Sequence, residues 1–581
     1  MIKKTIRRRE CKEETQQLFN QQHPLLRRIY AARKISSERE LKLDFDHLLS
    51  YDLLKGIHEA AELLAQSIMQ NKKIVIVGDF DADGATSTAL AIRALKSFGA
   101  EQVAYLVPNR FSFGYGLTPE LIEAGRSLSP DVIVTVDNGI ANHAGVDAAK
   151  ALGIKVIITD HHLPSATLPL ADAIVNPNQP DDHFPSKNLA GVGVIFYVML
   201  AVRRCLKQQA WFEKQNRTEP NMSRLLDLVA LGTVADVVAL DHNNRILIHH
   251  GLKRIRALQC IPGIIALLEL SNRELTRVSE SDLGFVVASR LNAAGRLDDM
   301  SLGIECLLSD DSIKVREIAR TLNQLNDERR YIEKEMQAQA LSGLARLHMD
   351  QKQDMPRGLC LYDESWHQGV IGILASRIKD KFNRPVVVFA KGGEGELKGS
   401  ARSISCLHIR DALARISAIH PNLILKFGGH AMAAGLTISE NTFPNFVKIF
   451  NEVVSAQISE QELEHCLLSD GGLHSDELNL DIANMIKEAG PWGQAFPEPL
   501  FDDVFQILEQ RIVGDKHLKL RLAKNDTILD AIAFFIDMKD WPNHRCQFVR
   551  VGYRLDVNEY KGNRKVQLIV EYLEPANVSS V

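Results

Sequence analysis

Short apolar runs alternate with helix-favouring stretches between about residue 50 and residue 240. Each run is short and bounded by polar or turn-forming residues, which favours a buried strand. The runs lie at residues 74–77, 132–136, 156–159, 173–175 and 228–230. This alternation of strand and helix predicts an α/β fold with a doubly wound parallel sheet.

The rest of the chain shows four further patterns. Residues 241–300 are helix-favouring, and a charged stretch over 302–346, with Pro and Gly absent from most of it, predicts a long connecting helix. A second, smaller α/β unit begins near residue 359, with strands expected at 359–362 and 386–390. After Pro499, five short strands separated by turns predict a small OB-like β-barrel; they are expected at 510–513, 518–522, 528–535, 547–555 and 566–571.

These patterns divide the chain into five parts. At 581 residues the chain is too long for one hydrophobic core. The expected parts are an N-terminal helical arm (1–50), a first α/β domain (51–300), a connecting helix (301–350), a second α/β domain (351–458) and a β-domain (459–581).

Composition narrows the class of protein. Hydrophobic residues make up 45% and charged residues 24%, as in an ordinary globular protein. No apolar run is long enough to cross a membrane, and the basic start has no apolar segment after it, so we expect neither a membrane span nor a secretory signal. The eight scattered cysteines favour reduced thiols in a cytoplasmic protein. A net charge of −4 argues against a wholly basic nucleic-acid binder but allows a local basic groove.

Acidic and histidine side chains follow the predicted strands. Asp79, Asp81 and Asp83 come after the first run, and at alternate positions of an extended segment they would point to one side. The other runs precede Asp137-Asn138-Gly139, Asp160-His161-His162, Asn176-Pro177 and Gly232-Thr233-Val234-Ala235-Asp236. Ligands of an open parallel sheet bind outside the carboxyl ends of its strands, so these clusters are expected to converge.

Converging carboxylates predict a divalent-metal site. Like charges held close together are costly unless cations neutralise them, and hard oxygen ligands suit Mg²⁺ and Mn²⁺, with imidazole favouring Mn²⁺. Two such ions can serve phosphoryl transfer by holding the attacking and leaving oxygens. For any one cluster, a simple turn explains Asp and Gly equally well. Five clusters together, one of them with a histidine pair, favour a metal site over simple turns. Of the two histidines, one would bind metal and the other would face a phosphate. Asp160 would orient a neighbouring imidazole ring.

Candidate anion-binding residues lie elsewhere in the chain. Gly428-Gly429-His430 could present backbone N–H groups to a phosphate, and Arg402 could grip one. A tight turn explains the glycine pair at least as well, and Arg290, Arg296, Trp366 and His367 could equally be structural. Basic and aromatic residues are interleaved in the β-domain, as on a single-strand-binding surface or on a plain solvated face. They are Arg511, Lys516, Lys519, Arg521, Trp541, Tyr553, Arg554, Tyr560, Lys561, Arg564 and Lys565.

The motifs resemble those of the DHH phosphoesterase superfamily. The resemblance rests on residues 78–84, 137–139, 160–162, 232–236 and 428–430, and covers most of the chain. Segments 291–296 and 366–369 and the β-rich C-terminus are similar to the bacterial single-strand-specific 5′→3′ DNA exonucleases of that superfamily.

The resemblance implies a ligand set. It would put Asp81 and Asp137 on one metal and Asp83, Asp137, His161 and Asp236 on the other. His162 would contact the scissile phosphate, supported by Asp160. Arg402 and the 428–430 loop would hold nucleotide phosphate. The superfamily often has a histidine where this chain has Val77, and Asp79 is the candidate replacement ligand.

The resemblance also implies a function. It predicts a monomeric cytoplasmic exonuclease that uses two Mn²⁺ or Mg²⁺ ions to release 5′-mononucleotides from single-stranded DNA in repair and recombination. Its implied partners are a single-strand-binding protein and a RecQ-type helicase. Two alternatives stay open: a phosphoesterase of the same superfamily that acts on dinucleotides, cyclic dinucleotides or pyrophosphate, and a catalytically silent replication scaffold. The basic β-domain favours a polymer substrate over the first, and the complete ligand set disfavours the second.

Overall fold

The computed structural model of the chain describes residues 4–109, 113–351, 355–514, 516–536, 541–560 and 563–576. Two compact units are present. The parallel-sheet unit contains Leu41–Tyr331 and Pro491–Phe496. The barrel unit contains Met1–Glu40, Ile332–Gly490 and Pro497–Val581.

The first elements of the chain belong to the barrel unit. They are β1 (Lys4–Arg8), α1 (Glu13–Gln17) and α2 (Pro24–Ala32). Strand β1 lies inside the region expected to be a helical arm. It pairs in parallel with His465–Ser469. Its sequence is mostly polar, so its strand conformation comes from this distant pairing, which the local pattern does not show.

A five-stranded parallel sheet forms the centre of the parallel-sheet unit. Its strands are β2 (Ile74–Val77), β3 (Val103–Leu106), β4 (Val132–Val136), β5 (Lys155–Thr159) and β6 (Ala173–Val175), in the order β3-β2-β4-β5-β6. All neighbouring pairs are parallel, which confirms the predicted sheet. Edge strand β3 was not among the predicted runs, because its four residues are only half-buried.

Helices precede, connect and follow the strands of this sheet along the chain. The first five are α3 (Ile57–Met69), α4 (Ala82–Phe98), α5 (Pro119–Gly125), α6 (His143–Ala151) and α7 (Gly191–Gln208). The next are α8 (Trp211–Lys214), α9 (Leu226–Ala235), α10 (His242–Arg256), α11 (Pro262–Glu269) and α12 (Glu280–Asp282). A π-helical turn (Leu283–Ala288) leads into α13 (Ser289–Leu297), which is followed by α14 (Ser301–Leu308) and the long connecting helix α15 (Ser312–Gln351).

The strand predicted at 228–230 is wrong. These residues lie in helix α9, in which every residue from Leu226 to Thr233 is buried. A helix buried on all sides carries no alternation of polar and apolar positions, so a short apolar run does not distinguish it from a buried strand. Packing against neighbouring helices decided the conformation.

The second α/β part of the chain is built on a mixed sheet. Its elements are β7 (Leu359–Tyr362), α16 (Ile371–Phe382), β8 (Val386–Lys391), β9 (Glu396–Arg402), α17 (Ile409–Ile419), β10 (Lys426–Gly429), β11 (Ala433–Ser439) and α18 (Phe443–Ser455). The order is β10-β11-β9-β8-β7, with only β7 and β8 parallel. Residues 400–402, which include the candidate phosphate-binding Arg402, end strand β9, where they pair with both β8 and β11.

A closed barrel completes the barrel unit. After β12 (His465–Ser469) and α19 (Leu480–Glu488), its strands are β13 (Phe501–Val513), β14 (His517–Lys524), β15 (Thr527–Ala533), β16 (Phe548–Tyr560) and β17 (Asn563–Ala576). They close in the order β13-β14-β15-β17-β16, with β15 and β17 parallel. This confirms the OB-like barrel. Among the described residues, no helix combines the length and the apolar character needed to cross a bilayer.

Candidate metal centre

The register of the parallel sheet brings the polar clusters to one edge. Val77 pairs with Thr135 of β4, and Val136 pairs with Thr159 of β5. Thr159 in turn pairs with Val175. The residues that follow these strands therefore leave the sheet side by side. The chain passes from β2 to β3 on one side and then to β4 on the other, and this reversal opens a crevice at the carboxyl edge.

The first acidic cluster turns from strand into helix within a few residues. Asp81 caps the N-terminus of α4, its carboxylate accepting a hydrogen bond of 3.0 Å from the N–H of Gly84. Asp83 lies in the first turn of that helix, so the extended segment expected through Asp83 is wrong. Because Asp81 is the N-cap, the helix begins at the next residue. Asp79 stays on the strand side and is buried.

Asp83 is fixed by the N-terminus of a second helix. Its two carboxylate oxygens accept hydrogen bonds from the N–H groups of Gly191 (2.7 Å) and Val192 (3.0 Å), at the start of α7. Burial, and then the negative charge of Asp236, raise the pKa of Asp83 to about 7. The carboxylate is thus oriented while its charge is poorly compensated, which is the condition for binding a cation.

Gly191 allows this helix to approach closely. A Cβ atom at this position would lie 2.6 Å from the Cβ of Asp137 and 2.8 Å from its Oδ1. Asp137 itself has a φ of +62°, in the left-handed region that costs energy for a residue other than glycine. Close packing and local strain therefore set the direction of the Asp137 carboxylate.

His161 lies between two carboxylates. Its Nε2 is 3.1 Å from Oδ1 of Asp137 and 3.4 Å from Oδ2 of Asp236. Although His161 Nε2 and Asp137 Oδ1 are close, their geometry is not that of a hydrogen bond. Both atoms are buried, and neither has a hydrogen-bond partner among the described residues. Burial, with the charge of His162, lowers the pKa of His161, so its ring is neutral and offers a lone pair. Buried polar atoms are normally satisfied, so these two atoms point to a shared cation.

The ligand atoms form three groups that fit metal ions. In each group the atoms lie within 4.8 Å of one another. The groups are Asp79-Asp81-Asp137, Asp83-His161-Asp236 and Asp137-His161-His162. Asp137 and His161 each belong to two groups, so they link neighbouring positions. Oxygen-rich ligands with one or two imidazoles fit Mn²⁺ or Mg²⁺. The assignment of each residue to a particular ion stays a prediction.

The buried Asp160 and the partly exposed His162 form an ion pair. The His162 Nδ1 lies 2.7 Å from Asp160 Oδ1, which also accepts hydrogen bonds from the N–H groups of His161 (2.7 Å) and His162 (3.0 Å). Burial opposes both charges. The charge and hydrogen bond of Asp160 nevertheless raise the pKa of His162 to about 9, and those of His162 lower the pKa of Asp160 to about 2. His162 is therefore a cation at neutral pH.

Two residues at the edge have contacts that the sequence did not predict: Asn138, named only as part of a cluster, and Tyr115, not named at all. The Asn138 amide donates to the carbonyl oxygens of Val77 (3.0 Å) and Val136 (2.9 Å), so it ties the ends of β2 and β4 together. The Tyr115 hydroxyl lies 3.4 Å from the ring of His162. Asn138 could have been inferred from its place after a strand, whereas no local signal marks Tyr115.

The asparagines after β6 hold the histidine segment. Asn176 donates to the carbonyl of His162 at 2.9 Å, and Asn178 donates to the carbonyl of His161 at 2.6 Å. The cluster Asn176-Pro177 was expected among the ligand clusters. In the structure the Asn176 amide supports the backbone that carries the histidines.

Arg290 and Arg296 lie on α13 of the same unit. The Arg290 guanidinium donates to Asn323 Oδ1 (3.0 Å) and to the carbonyl of Val286 (2.7 Å), and the residue is buried. Burial lowers its pKa. Arg296 is half-buried near the end of the helix. Asn292, between them, accepts a 2.9 Å hydrogen bond from the N–H of Ala82 and so connects α13 to the first acidic cluster.

The other candidate anion-binding residues belong to the barrel unit. Arg402 ends β9 and donates to Ser400 Oγ (3.1 Å) and to the carbonyl of Ala401 (2.8 Å). Gly428 and Gly429 end β10, and His430 lies in the turn to β11, where its N–H donates to the carbonyl of Ala433. His367 Nδ1 accepts a hydrogen bond of 3.1 Å from the N–H of Gly369. Their role with phosphate stays a prediction.

The barrel presents different aromatics from those expected. Tyr553 and Trp541 are buried, so neither can stack on a base. Phe534 and Phe535 are instead 49% and 77% exposed, beside the ring of His517. Lys561 and the side chain of Tyr560 lie outside the described part of the structure. Arg554 pairs with Glu498 and Glu571, which reduces its free charge.

Three family models match the chain in succession. They are the DHH family N-terminal domain over residues 73–233, the DHHA1 domain over 356–456 and the RecJ OB domain over 469–572. The chain is 54% identical over 553 residues to the single-stranded-DNA-specific exonuclease RecJ of Dickeya dadantii, a match covering 95% of this chain and 96% of that one. It is 50% identical to RecJ of Escherichia coli, with 98% and 99% covered. The chain belongs to the RecJ family.

Solved RecJ structures show the same fold. The chain resembles the crystal structure of RecJ from Thermus thermophilus in complex with Mn²⁺, with a TM-score of 0.78, 30% identity, and 97% of this chain and 78% of that chain covered. The structure of the same RecJ with Mg²⁺ matches with a TM-score of 0.73 and 27% identity, covering 97% and 77%. The expected superfamily and fold class are therefore confirmed.

Proposed function

We propose that this protein is a metal-dependent exonuclease that degrades single-stranded DNA from its 5′ end to 5′-mononucleotides. The observation that carries the proposal is the set of ligand groups sharing Asp137 and His161, in a chain similar over nearly its full length to single-stranded-DNA-specific exonucleases. This likeness includes the OB domain, which favours a polymer over dinucleotides or pyrophosphate. The intact ligand groups disfavour a silent scaffold.

The proposed cofactors are two Mn²⁺ or Mg²⁺ ions, the ions named in the structures of the Thermus RecJ. When bound, they would supply an activated hydroxide and Lewis-acid stabilisation of the phosphate. The proposed ligands are Asp79, Asp81, Asp83, Asp137, His161 and Asp236.

The protein's own residues would prepare the reaction in three ways. Asp137 and His161, held by strained backbone and by the asparagines after β6, would fix the spacing of the ligands. His162, kept cationic by Asp160, would donate a charge-assisted hydrogen bond to the phosphate as negative charge develops. Arg290, Arg296, His367, Arg402 and the 428–430 segment would bind the strand.

The domain boundaries and cellular setting are also proposed. We assign catalysis to 51–300, the connecting helix to 301–350, the DHH-associated domain to 351–458 and nucleic-acid binding to 459–581, after an N-terminal arm at 1–50. A RecJ-like role in repair and recombination would place a monomer in the cytoplasm, working with a single-strand-binding protein and a RecQ-type helicase. The matches to the RecJ family support this setting.

The test uses single-stranded DNA labelled at either end, with Mn²⁺, Mg²⁺ or EDTA. The expected result is immediate release of labelled mononucleotide from the 5′ end only, lost in EDTA and in Asp83→Ala. Release from the 3′ end would contradict the polarity. Intact long strands together with cleaved dinucleotides would show a small-substrate phosphoesterase, and bound but uncut DNA would show a scaffold.

A further inference from the structure

A second cluster of charged groups surrounds a small pocket in the barrel unit, where strand β1 ends. The pocket has a volume of about 200 Å³. Its lining includes Arg8, Arg9, Cys11, Arg28, Asp470 and Gly471. None of the proposed metal ligands or strand-binding residues lines it. It has room for a group of several heavy atoms.

Asp470 is the one acid among the described residues of this pocket's lining, and it is already satisfied. Asp470 accepts hydrogen bonds from Arg33 through both oxygens, at 2.9 and 3.1 Å, and from the N–H of Leu500 at 3.0 Å. Arg9 Nε lies 3.8 Å from Asp470, beyond hydrogen-bonding distance. Asp470 therefore compensates Arg33 and leaves little for a second arginine.

Two guanidinium groups at the pocket lack partners for a buried N–H. The Nε atoms of Arg9 and Arg28 are buried, and neither has a hydrogen-bond partner among the described residues. Arg28 donates through another nitrogen to the carbonyl of Gly472, at 2.8 Å. Burial, together with the like charge of Arg33, lowers the pKa of Arg9 despite the opposing effect of Asp470. A buried donor without an acceptor costs about 1–3 kcal/mol.

Arg8 adds positive charge at the rim. It pairs with Asp502 at 3.1 Å, but Asp502 also accepts hydrogen bonds from Arg550 (2.9 Å) and from the Ser469 hydroxyl. The neighbouring Asp503 is engaged by Lys524 and by the Tyr553 hydroxyl. The carboxylates around the pocket are thus shared, and the positive charge is in excess.

Gly471 lines the pocket in a left-handed backbone conformation. Its φ of +88° is one that residues with a Cβ rarely adopt. A Cβ there would lie 3.7 Å from a terminal nitrogen of Arg28 and 4.0 Å from the Cδ of Arg8. Both distances are ordinary van der Waals contacts, so the positive φ is what favours glycine at this position in the pocket lining.

We propose that this pocket binds a phosphate group through Arg9 and Arg28, with Arg8 at its rim. Guanidinium groups bind tetrahedral oxyanions through paired N–H donors, and such an anion would satisfy both buried Nε–H groups and the excess charge. The phosphate can come from the backbone of a bound DNA strand, a source that rests on the proposed function, or from free phosphate or a mononucleotide. None of the proposed metal ligands lines the pocket, so it would bind phosphate without hydrolysing it.

The first experiment measures phosphate binding to the full-length protein in EDTA. Calorimetry and thermal unfolding compare sodium phosphate with sodium chloride at equal ionic strength. The wild type is expected to bind phosphate, with about tenfold weaker affinity for each of Arg9→Gln and Arg28→Gln and about a hundredfold for the double variant. Arg7→Gln removes the same charge from an exposed position on β1 and should bind like the wild type.

Two results would overturn the proposal. One is a wild type that shows no phosphate-specific binding; the other is a double variant that keeps the wild-type affinity. If the double variant does not fold, the single variants decide, because Gln retains the side-chain stem and one donor. Neither assay depends on nuclease activity, so failure here is separate from failure of the proposed function.

A second experiment distinguishes the sources of phosphate. Binding of an oligothymidylate is measured in EDTA at several salt concentrations. If the strand supplies the phosphate, the slope of log affinity against log salt should fall by about one in the double variant and stay unchanged in Arg7→Gln. Lost phosphate binding with an unchanged slope would identify free phosphate or a mononucleotide as the ligand. If an acidic peptide displaced the bound oligothymidylate and phosphate did not, that result would contradict the proposal.

Discussion

The carboxyl groups of Asp83 and Asp236 take up protons more readily than ordinary aspartates, and a metal ion would compete with those protons. Burial is the largest cause that raises the pKa of both groups to about 7. The next cause is the negative charge of Asp236 for Asp83, and that of Asp81 for Asp236. Below that pH the metal-free site is largely protonated. Metal binding therefore competes with protons at these two residues.

We predict that Mn²⁺ binds more tightly at about pH 8 than at about pH 6, with release of protons. Calorimetry in two buffers with different ionisation enthalpies measures the number released. Asp83→Asn should abolish the thermal stabilisation by Mn²⁺, since it removes a charged ligand. Asp147→Asn, an exposed change in the same unit, is the control. A pH-independent affinity without proton release would contradict this prediction.

The Asp160–His162 pair makes a different pH prediction. Because the pKa of His162 is raised to about 9, activity that depends on the charged ring should fall as the pH rises through that value. Asp160→Asn should move this limb towards the ordinary histidine pKa, near about 6.5, and lower kcat roughly 10- to 100-fold. His162→Gln should remove the limb. An alkaline limb that stays in place in Asp160→Asn would show that another group titrates there.

The same pair affects stability with a definite sign. Asp160 has a folded pKa of about 2, so its contribution is present above its ordinary value and lost as the pH falls through about 2. His162 has a folded pKa of about 9, so its contribution is present below its ordinary value and lost as the pH rises through about 9. The contribution of the pair is therefore complete between about pH 4 and about pH 6.5, and declines as the pH rises from there through about 9.

At the scale of elements, a short segment more than two hundred residues later in the chain contacts the loop after Asp236 and supports it. Pro491–Phe496 belongs to the parallel-sheet unit. The carbonyl of Gln494 accepts a 2.8 Å hydrogen bond from the N–H of Leu240. The Arg245 guanidinium lies 4.4 Å from the centroid of the Phe496 ring, which also stacks on Trp492. These contacts hold the loop between α9 and α10. The proposed metal ligand Asp236 is the first residue of this loop.

We predict that Phe496→Ala weakens Mn²⁺ binding although it touches no ligand. It should also cost about 3 kcal/mol or more of stability, because the ring is buried. Phe496→Leu keeps most of the volume but loses the stacking and cation–π contacts, and should have an intermediate effect. Calorimetry with Mn²⁺ at a temperature where all variants are folded measures this. An unchanged Mn²⁺ affinity in Phe496→Ala would show that the loop holds Asp236 unaided.

The barrel makes a separate prediction through its exposed aromatic pair. Phe535, which is 77% exposed beside His517, can stack on a base. Phe535→Ala should weaken single-stranded DNA binding about tenfold, since stacking contributes about 1–3 kcal/mol per base. Fluorescence anisotropy in EDTA measures the affinity. Ile528→Ala removes a similarly exposed apolar side chain of the barrel and should have little effect. Equal losses in both variants would indicate a general surface effect.

At the scale of the whole molecule, residues near the start of the chain are joined to the region that leads into the barrel. Strand β1 pairs with β12, and Arg33 forms a fully buried bidentate pair with Asp470. Of the region expected to be an arm, the part up to Glu40 thus belongs to the barrel unit. Its stability depends on contacts with residues more than four hundred positions away.

We predict that Arg33→Met lowers the thermal stability of the barrel unit strongly. Breaking one side of a buried ion pair costs about 3–5 kcal/mol because the other charge is left unpaired. The double variant Arg33→Met/Asp470→Leu should recover part of the loss. Circular dichroism during heating and hydrogen exchange at α2 measure the change. If Arg33→Met were neutral, the pair would not stabilise the fold.

The local sequence determined which chemistry is present and roughly where. Short apolar runs ending in Asp, Asn and His define strands with ligands at their carboxyl ends, because strand length and turn chemistry are local properties. The clusters at Asp79–Asp83, Asp137 and Asp160–His162 could therefore be predicted, as could the parallel sheet and the barrel. The assignment of these residues to metal or phosphate stays a prediction.

Tertiary structure decided the remaining features. Helix α9 carries Asp236 because packing overrides an ambiguous apolar run. The backbone N–H groups of Gly191 and Val192 reach Asp83 only because α7 returns to the sheet edge. Tyr115 approaches His162, and the Pro491–Phe496 segment approaches Leu240, through contacts between residues far apart in the chain. Such contacts leave no periodic signal, since they depend on how whole elements pack rather than on which residues are neighbours in sequence.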